Sequence, residues 1–314
     1  MQDIIPKIPR EALLAELTRD RYVRKTNNGN NEIYIITHQN SPNVMKEIGR
    51  LREVTFRHAG GGTGKEIDID EFDLCDHPYQ QLLVWNPEDK EIVGAYRYIA
   101  CKDAEFRGGK VHLATTELFD FHPEFYKDYL PYTIELGRSF IQPQYQPSEQ
   151  FRKGLFSLDN LWDGLGAIVV DNPFMKYYYG KVTMYTDFNI EARDLILAFL
   201  SYYFPDEKKL VTPILGVKIT TNVSEFLAEI KNLPYKEGHS ILNKKVRALG
   251  ENIPPLMNAY MNLSSTMRVF GTAINPTFGG VEETGILVRI ADIYESKKER
   301  HINSYLIEKG LMKA

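Results

Sequence analysis

Two apolar runs separated by five turn-forming residues constrain this chain more than any other feature. QQLLVW (80–85) and EIVGAYRYIA (91–100) flank NPEDK (86–90), so neighbouring strands are joined by a hairpin and pair antiparallel. A doubly wound parallel sheet needs a crossover helix between its strands, and this pattern excludes one. Further strands are expected at 32–38, 133–141, 176–184 and 285–293. Helices are expected at 10–24, from Pro42 through Phe56 with Ser41 as the candidate N-cap, from near Ser157, the candidate cap, to Asp171, and at 190–204, 224–233 and 254–265. Residues 115–130 read as helix or loop. The class that fits is α+β with a mixed, mostly antiparallel sheet flanked by helices. No repeat or low-complexity linker marks a boundary. The expected organisation is a helix and loop over 1–31, one domain over 32–293 and a solvated helical tail over 294–314.

Glycine punctuates residues 59–66, AGGGTGKE, which invites comparison with a phosphate loop. That loop requires G-x-x-x-x-G-K-[ST], with a hydroxyl for magnesium after the lysine. Here Ala59 stands at the first glycine and Glu66 at the hydroxyl, so nucleotide hydrolysis is not expected. A net charge of −4 implies no nucleic-acid partner, and two cysteines build no disulfide framework. The seven histidines lack metal-ligand spacing. MQDIIPKIPR has no apolar signal core, and no apolar run reaches the roughly 18 residues of a membrane span. A cytoplasmic protein is expected. Its 19 tyrosines and 16 phenylalanines suit either core packing or an apolar tunnel or membrane-facing lip. REALLAEL is either a docked surface helix or one lying against anionic lipid.

The strand at 133–141 leads through QPSEQFRKG to the helix starting near Ser157. That arrangement aims helix N–H groups at a phosphate, with Arg152, Lys153 and Gly154 in the loop; a merely solvated loop is the alternative.

In order, LREVTFR (51–57), DEFDLCDH (70–77), GAYRYI (94–99), TTELFDF (115–121), IELGRSFIQPQY (134–145), NLWDGLGAIV (160–169), YYYGKVTM (177–184) and PPLMNAYMNLSS onward (254–290) resemble one family. They are similar to the N-acyltransferases that make ornithine and other amino-acid lipids, often labelled hemolysin-like. These are relatives of acyl-homoserine-lactone synthases within the GCN5-related N-acyltransferase superfamily. The resemblance implies a sheet splayed between strands 133–141 and 176–184, with a pantetheine arm in the gap. It implies no bound cofactor, an acyl carrier protein or coenzyme A thioester as cosubstrate, and an amino acid as acceptor. The resemblance also implies peripheral contact with the inner membrane surface. The Gly60–Gly64 loop would be mobile and near the entry of acceptor or acyl chain.

The resemblance also supplies site residues. Glu135 would be the general base and Arg138 its neighbour, pairing with an acidic residue or the acceptor carboxylate. In a regular strand residues three apart face opposite sides, so a bulge or different partners would be needed. Arg97 would partner Asp70 or Asp73; Phe72 would pack on the acyl chain or acceptor. Arg52 and Phe56 would close the acceptor pocket. Phe140, Ile141, Arg152, Lys153 and Gly154 would hold the phosphopantetheine and its phosphate. Amides just after Ser139 would serve as oxyanion donors. Only Gly154 remains of the usual loop glycines, which suits a carrier-protein donor. The expected activity is transfer of a long-chain acyl group to an amino acid such as glycine or ornithine, opening aminolipid synthesis. The alternatives are a short-chain acetyl-CoA-dependent enzyme and a non-enzymatic hemolysin or lipid-binding protein. Cys75 and Cys101 lack a paired histidine for thiol catalysis.

Overall fold

Alternation and burial set the sheet of the first half. In the computed structural model, which describes residues 1–146 and 156–313, five strands pair antiparallel in order: β1 (Tyr22–Lys25), β2 (Glu32–Ile36), β3 (Gln80–Asn86), β4 (Glu91–Ala100) and β5 (Thr133–Ile141). Nine of the ten residues of β4 are buried, because helices cover both its faces. On one side α2 (Pro42–His58) sends Arg52 to Gln81 of β3. On the other, α4 (Ser157–Asp171) lays Gly164 on Leu82, where a Cβ would stand 2.7 Å from the leucine. Successive residues of β3 therefore serve different layers.

These elements belong to a compact unit of residues 1–114, 132–176 and 294–314; a second comprises 115–131 and 177–293. The second carries β6 (Tyr177–Met184), β7 (Arg268–Asn275) and β8 (Val281–Arg289), with β8 antiparallel to both others. Tyr179 is wholly buried there against Phe121, Phe125 and Phe270, at centroid distances of 5.6, 5.8 and 5.7 Å. For these rings core packing is the outcome. Both units thus join antiparallel strands to helices, the expected α+β class.

Local expectations fail where a distant residue intervenes. The first helix, α1, spans only Arg10–Glu16, and the chain then turns into β1. Its Leu13 is buried while Leu14 is exposed, so it is docked on the unit through one face. Ser41 makes no capping bond to α2; the Glu16 carboxylate accepts instead from the amides of Asn43 and Val44, each at 2.9 Å. Ser157 does not cap α4 but donates to the carbonyl of Tyr145 at 3.1 Å. Residues 115–130 supply a short strand, Phe119–Phe121, and a wide helical turn, Phe125–Tyr129. The helix Tyr235–Ala248 and strand β7 were not among the expected elements.

The tail is helical over residues 295–308 and, though largely exposed, is anchored through one buried face. Its His301 and Tyr305 are buried, and His301 Nδ1 lies 2.7 Å from Asp163 of α4. A Cβ on Gly166 would collide with the His301 backbone carbonyl. Gly166→Ala is therefore expected to cost about 1–3 kcal/mol through overpacking and to speed hydrogen exchange in residues 299–308. Unchanged melting and exchange would show that the tail yields freely.

Candidate active site

The glycine run closes α2 around one of the helix's own carboxylates. Gly60, Gly62 and Gly64 take φ of 90°, 93° and 74°, a left-handed backbone that side chains rarely adopt. The path turns the amides of Thr63 and Gly64 onto Glu53 at 3.0 and 2.7 Å; the Thr63 hydroxyl and Arg57 Nε add donors at 2.8 and 2.7 Å. Burial opposes ionisation of Glu53, but these donors outweigh it and hold its carboxyl below the ordinary range. The anion in this loop is thus a side chain, not a phosphate. Glu53→Ala should cost about 1–3 kcal/mol by leaving buried donors unpaired, visible as a lower melting temperature and protease cleavage within 60–65. Wild-type resistance would contradict it.

The loop delivers the acidic segment to the sheet. Asp70 accepts from Phe72 N at 3.1 Å and Asp73 from Asp70 N at 3.2 Å, a reciprocal cap for the short helix α3 (Glu71–Leu74). Both carboxylates then meet Arg97 of β4: Asp70 at 2.7 and 2.8 Å, Asp73 at 3.3 Å. Arg52 donates to Asp73 at 2.9 Å and Gln81 at 2.6 Å, and Gln81 donates to Asp73 at 3.0 Å. Arg138 lies 3.0 Å from Asp68 and 3.6 Å from Asp70. Three guanidinium groups and three carboxylates therefore interlock beneath the segment. Burial penalises the charge of Asp70, yet Arg97 and Arg138 overcome it and hold its carboxyl below the usual range. For Asp68, fully buried, burial wins over Arg138, Arg52 and Arg97, and its carboxyl is pushed up. Burial also opposes the charge on Arg97, but Asp70 and Asp73 more than compensate.

A bulge in β5 brings Arg138 into this cluster. Gly137 faces Arg97 and Phe140 faces Ala95, so Arg138 and Ser139 together oppose Tyr96. Arg138 takes φ of 47°, a conformation uncommon for a side-chain-bearing residue. The extra residue turns its guanidinium toward the acidic segment, on the side where Glu135 lies buried. Glu135 accepts a short hydrogen bond from the hydroxyl of Tyr79. The Tyr79 ring stands edge-on to Phe72 at 5.5 Å, and Phe72 stacks on His112 at 4.8 Å. Phe56 and Phe140 pair edge-on at 6.5 Å, with Ile141 half-buried beyond. Arg152, Lys153 and Gly154 lie outside the described residues. Asp68, Tyr79, Gln81 and His112 are members of the cluster that sequence reasoning missed. Burial raises both thiols, Cys75 and Cys101, above their ordinary range. Among the described residues no three histidines, cysteines or carboxylates could hold a metal, and no helix is long and apolar enough to cross a membrane.

Residues 51–153, the stretch from Arg52 through this bulged strand, match the family model of the acetyltransferase (GNAT) domain. The fold is that of a GCN5-related N-acyltransferase. Over 98% of its length the chain is 55% identical to a glycine N(alpha)-acyltransferase of Bacteroides thetaiotaomicron, covering 91% of it. It is 54% identical to one from Phocaeicola vulgatus, over 98% of the chain and 94% of that protein. The chain belongs to the glycine N(alpha)-acyltransferase family and is an N-acyltransferase. A solved CoA-dependent acyl-homoserine lactone synthase, BjaI, aligns over 90% of each chain with TM-score 0.36 and 11% identity.

Proposed function

We propose that the enzyme moves a long-chain fatty acyl group from the thioester of acyl carrier protein, or of coenzyme A, to the amino group of glycine, opening aminolipid synthesis. The observation that carries this reading is 55% identity, across nearly the whole chain, to a protein named for that acceptor. The amine nitrogen attacks the thioester carbonyl, the C–N bond forms, the C–S bond breaks, and the thiolate leaves as a thiol with the proton that nitrogen sheds on becoming an amide. Glu135 takes the proton of the glycine ammonium, directly or through a water. Backbone N–H groups just after Ser139, beside the bulge of β5, serve as oxyanion donors. Arg52, Arg97 and Arg138, with Asp70, Phe72, Asp73 and Phe56, shape the acceptor side. Phe140 and Ile141, with Arg152, Lys153 and Gly154, serve the phosphopantetheine.

The test is thiol release from palmitoyl carrier protein or palmitoyl-CoA with glycine, alanine, serine or ornithine. Glycine-dependent release with N-palmitoylglycine as product is the expected result, and the faster donor names the carrier. Release with ornithine but not glycine would replace the acceptor. Turnover of acetyl-CoA alone would move the enzyme to the short-chain class.

A further inference from the structure

Tyr79 enters β3 with its backbone already fixed, its N–H donating to the carbonyl of Phe72 at 2.8 Å. Its side chain is 2% exposed, and Arg97 sits 5.3 Å from the ring centroid. Two hydrogen bonds define its hydroxyl. The amide of Ala114 donates to the oxygen at 3.1 Å, and the hydroxyl donates to Glu135 Oε2. A phenol has one proton to give. Because the amide can only donate, that proton is directed at the carboxylate, the one acceptor for it among the described residues. A hydrogen bond to the charged form of an acid favours that form. Burial, and then the charge of Glu135, push the tyrosine's own titration far upward, so it remains a donor throughout the working range.

We propose that Tyr79 is a positioning residue that holds Glu135 ionised and aims its carboxylate, with the Ala114 amide fixing the direction of the phenolic proton. The inference rests on Glu135 acting as the base. It assigns Tyr79 a task distinct from packing: it sets the pH at which the base becomes usable. Among the described residues, the other titratable and charged groups around this pair include Arg97 of β4, Arg52 of α2, Arg138 of β5, Asp68, Asp70 and Asp73 of the acidic segment, His112 against Phe72, and the Cys101 thiol. The arginines and aspartates among them are paired with one another, so altering the phenol leaves them matched.

The experiment is the pH profile of kcat/KM for glycine with the full chain. Tyr79→Phe keeps the ring and removes the proton, so the acid limb should move up by about one to two pH units. A 3-fluorotyrosine placed at position 79 keeps the shape with a more acidic phenol, and the limb should move down. This second replacement carries the test even if the first disturbs folding. Shifts of opposite sign support the assignment; an unmoved limb for the fluorotyrosine enzyme overturns it. Glu135→Gln, assayed beside them, separates the two ideas. An inactive Glu135→Gln enzyme with an unmoved limb defeats only the role of Tyr79, whereas wild-type turnover by Glu135→Gln defeats the base and this inference together.

Discussion

Glu135→Gln is expected to lower kcat by about 10²–10⁴-fold, the range typical of losing a positioned general base, while the unfolding midpoint stays close to that of the wild type. Glutamine has nearly the same shape, and its carbonyl oxygen can still accept from Tyr79. What it cannot do is take a proton from the acceptor's ammonium. The distinguishing observation is the pH dependence of the residual rate. In the wild type the rate should rise with pH until the carboxylate is ionised and then level. In the variant that plateau should vanish, and activity should climb with the free-amine form of glycine. Comparable loss with a preserved plateau would mean that Glu135 orients other groups and that the proton leaves elsewhere. A variant that fails to fold would place Glu135 among the structural residues of β5.

How much of this was legible in the sequence depends on how local its cause is. The 80–100 hairpin was legible because its signals, apolar runs and a turn between them, lie within 21 residues of chain. The positions of Asp70, Asp73, Arg97, Glu135 and Arg138 came from resemblance to a family, since no local rule marks them. Gln81 illustrates what stays hidden: at the start of a strand it reads as solvent-facing, yet it is wholly buried because the acidic segment folds over it. The capping serines failed for the same reason. Ser41 has the right chemistry, but Glu16, 25 positions earlier, brings a charged acceptor to the same amides. The helix Tyr235–Ala248 carries Gly238, a poor helix former, in its first turns. That position is glycine because the Tyr203 ring occupies the space of a Cβ. The bulge at Arg138 depends on the ladder it interrupts, and its register is a property of two strands together.

Asp73→Ala should produce the largest loss of stability in the chain, about 3–5 kcal/mol by the usual penalty for breaking a buried ion pair from one side. Asp73 is 0% exposed and holds both Arg52, also 0%, and Arg97, at 3%. Removing it leaves two guanidinium groups buried with too little negative charge, against a total stability of about 5–15 kcal/mol for ordinary domains. Arg52→Met combined with Asp73→Leu should recover part of the loss, because desolvation then falls with the charge. A double variant no better than the single would show that packing around Asp73, not charge balance, carries the effect. The acid side offers a second check. The carboxyl of Asp70 is held below its ordinary value by Arg97 and Arg138 against the penalty of burial. Its contribution is therefore present above about pH 4 and lost as pH falls through the folded-state value. Asp68 has the opposite sign. Its folded-state value is raised by burial, so its contribution is present below about pH 4 and lost as pH rises. Asp68→Asn should thus flatten the urea-midpoint profile above that pH and keep the acid-side fall. If the fall disappears with Asp68, then Asp70 is not the group that anchors the acidic segment to the sheet.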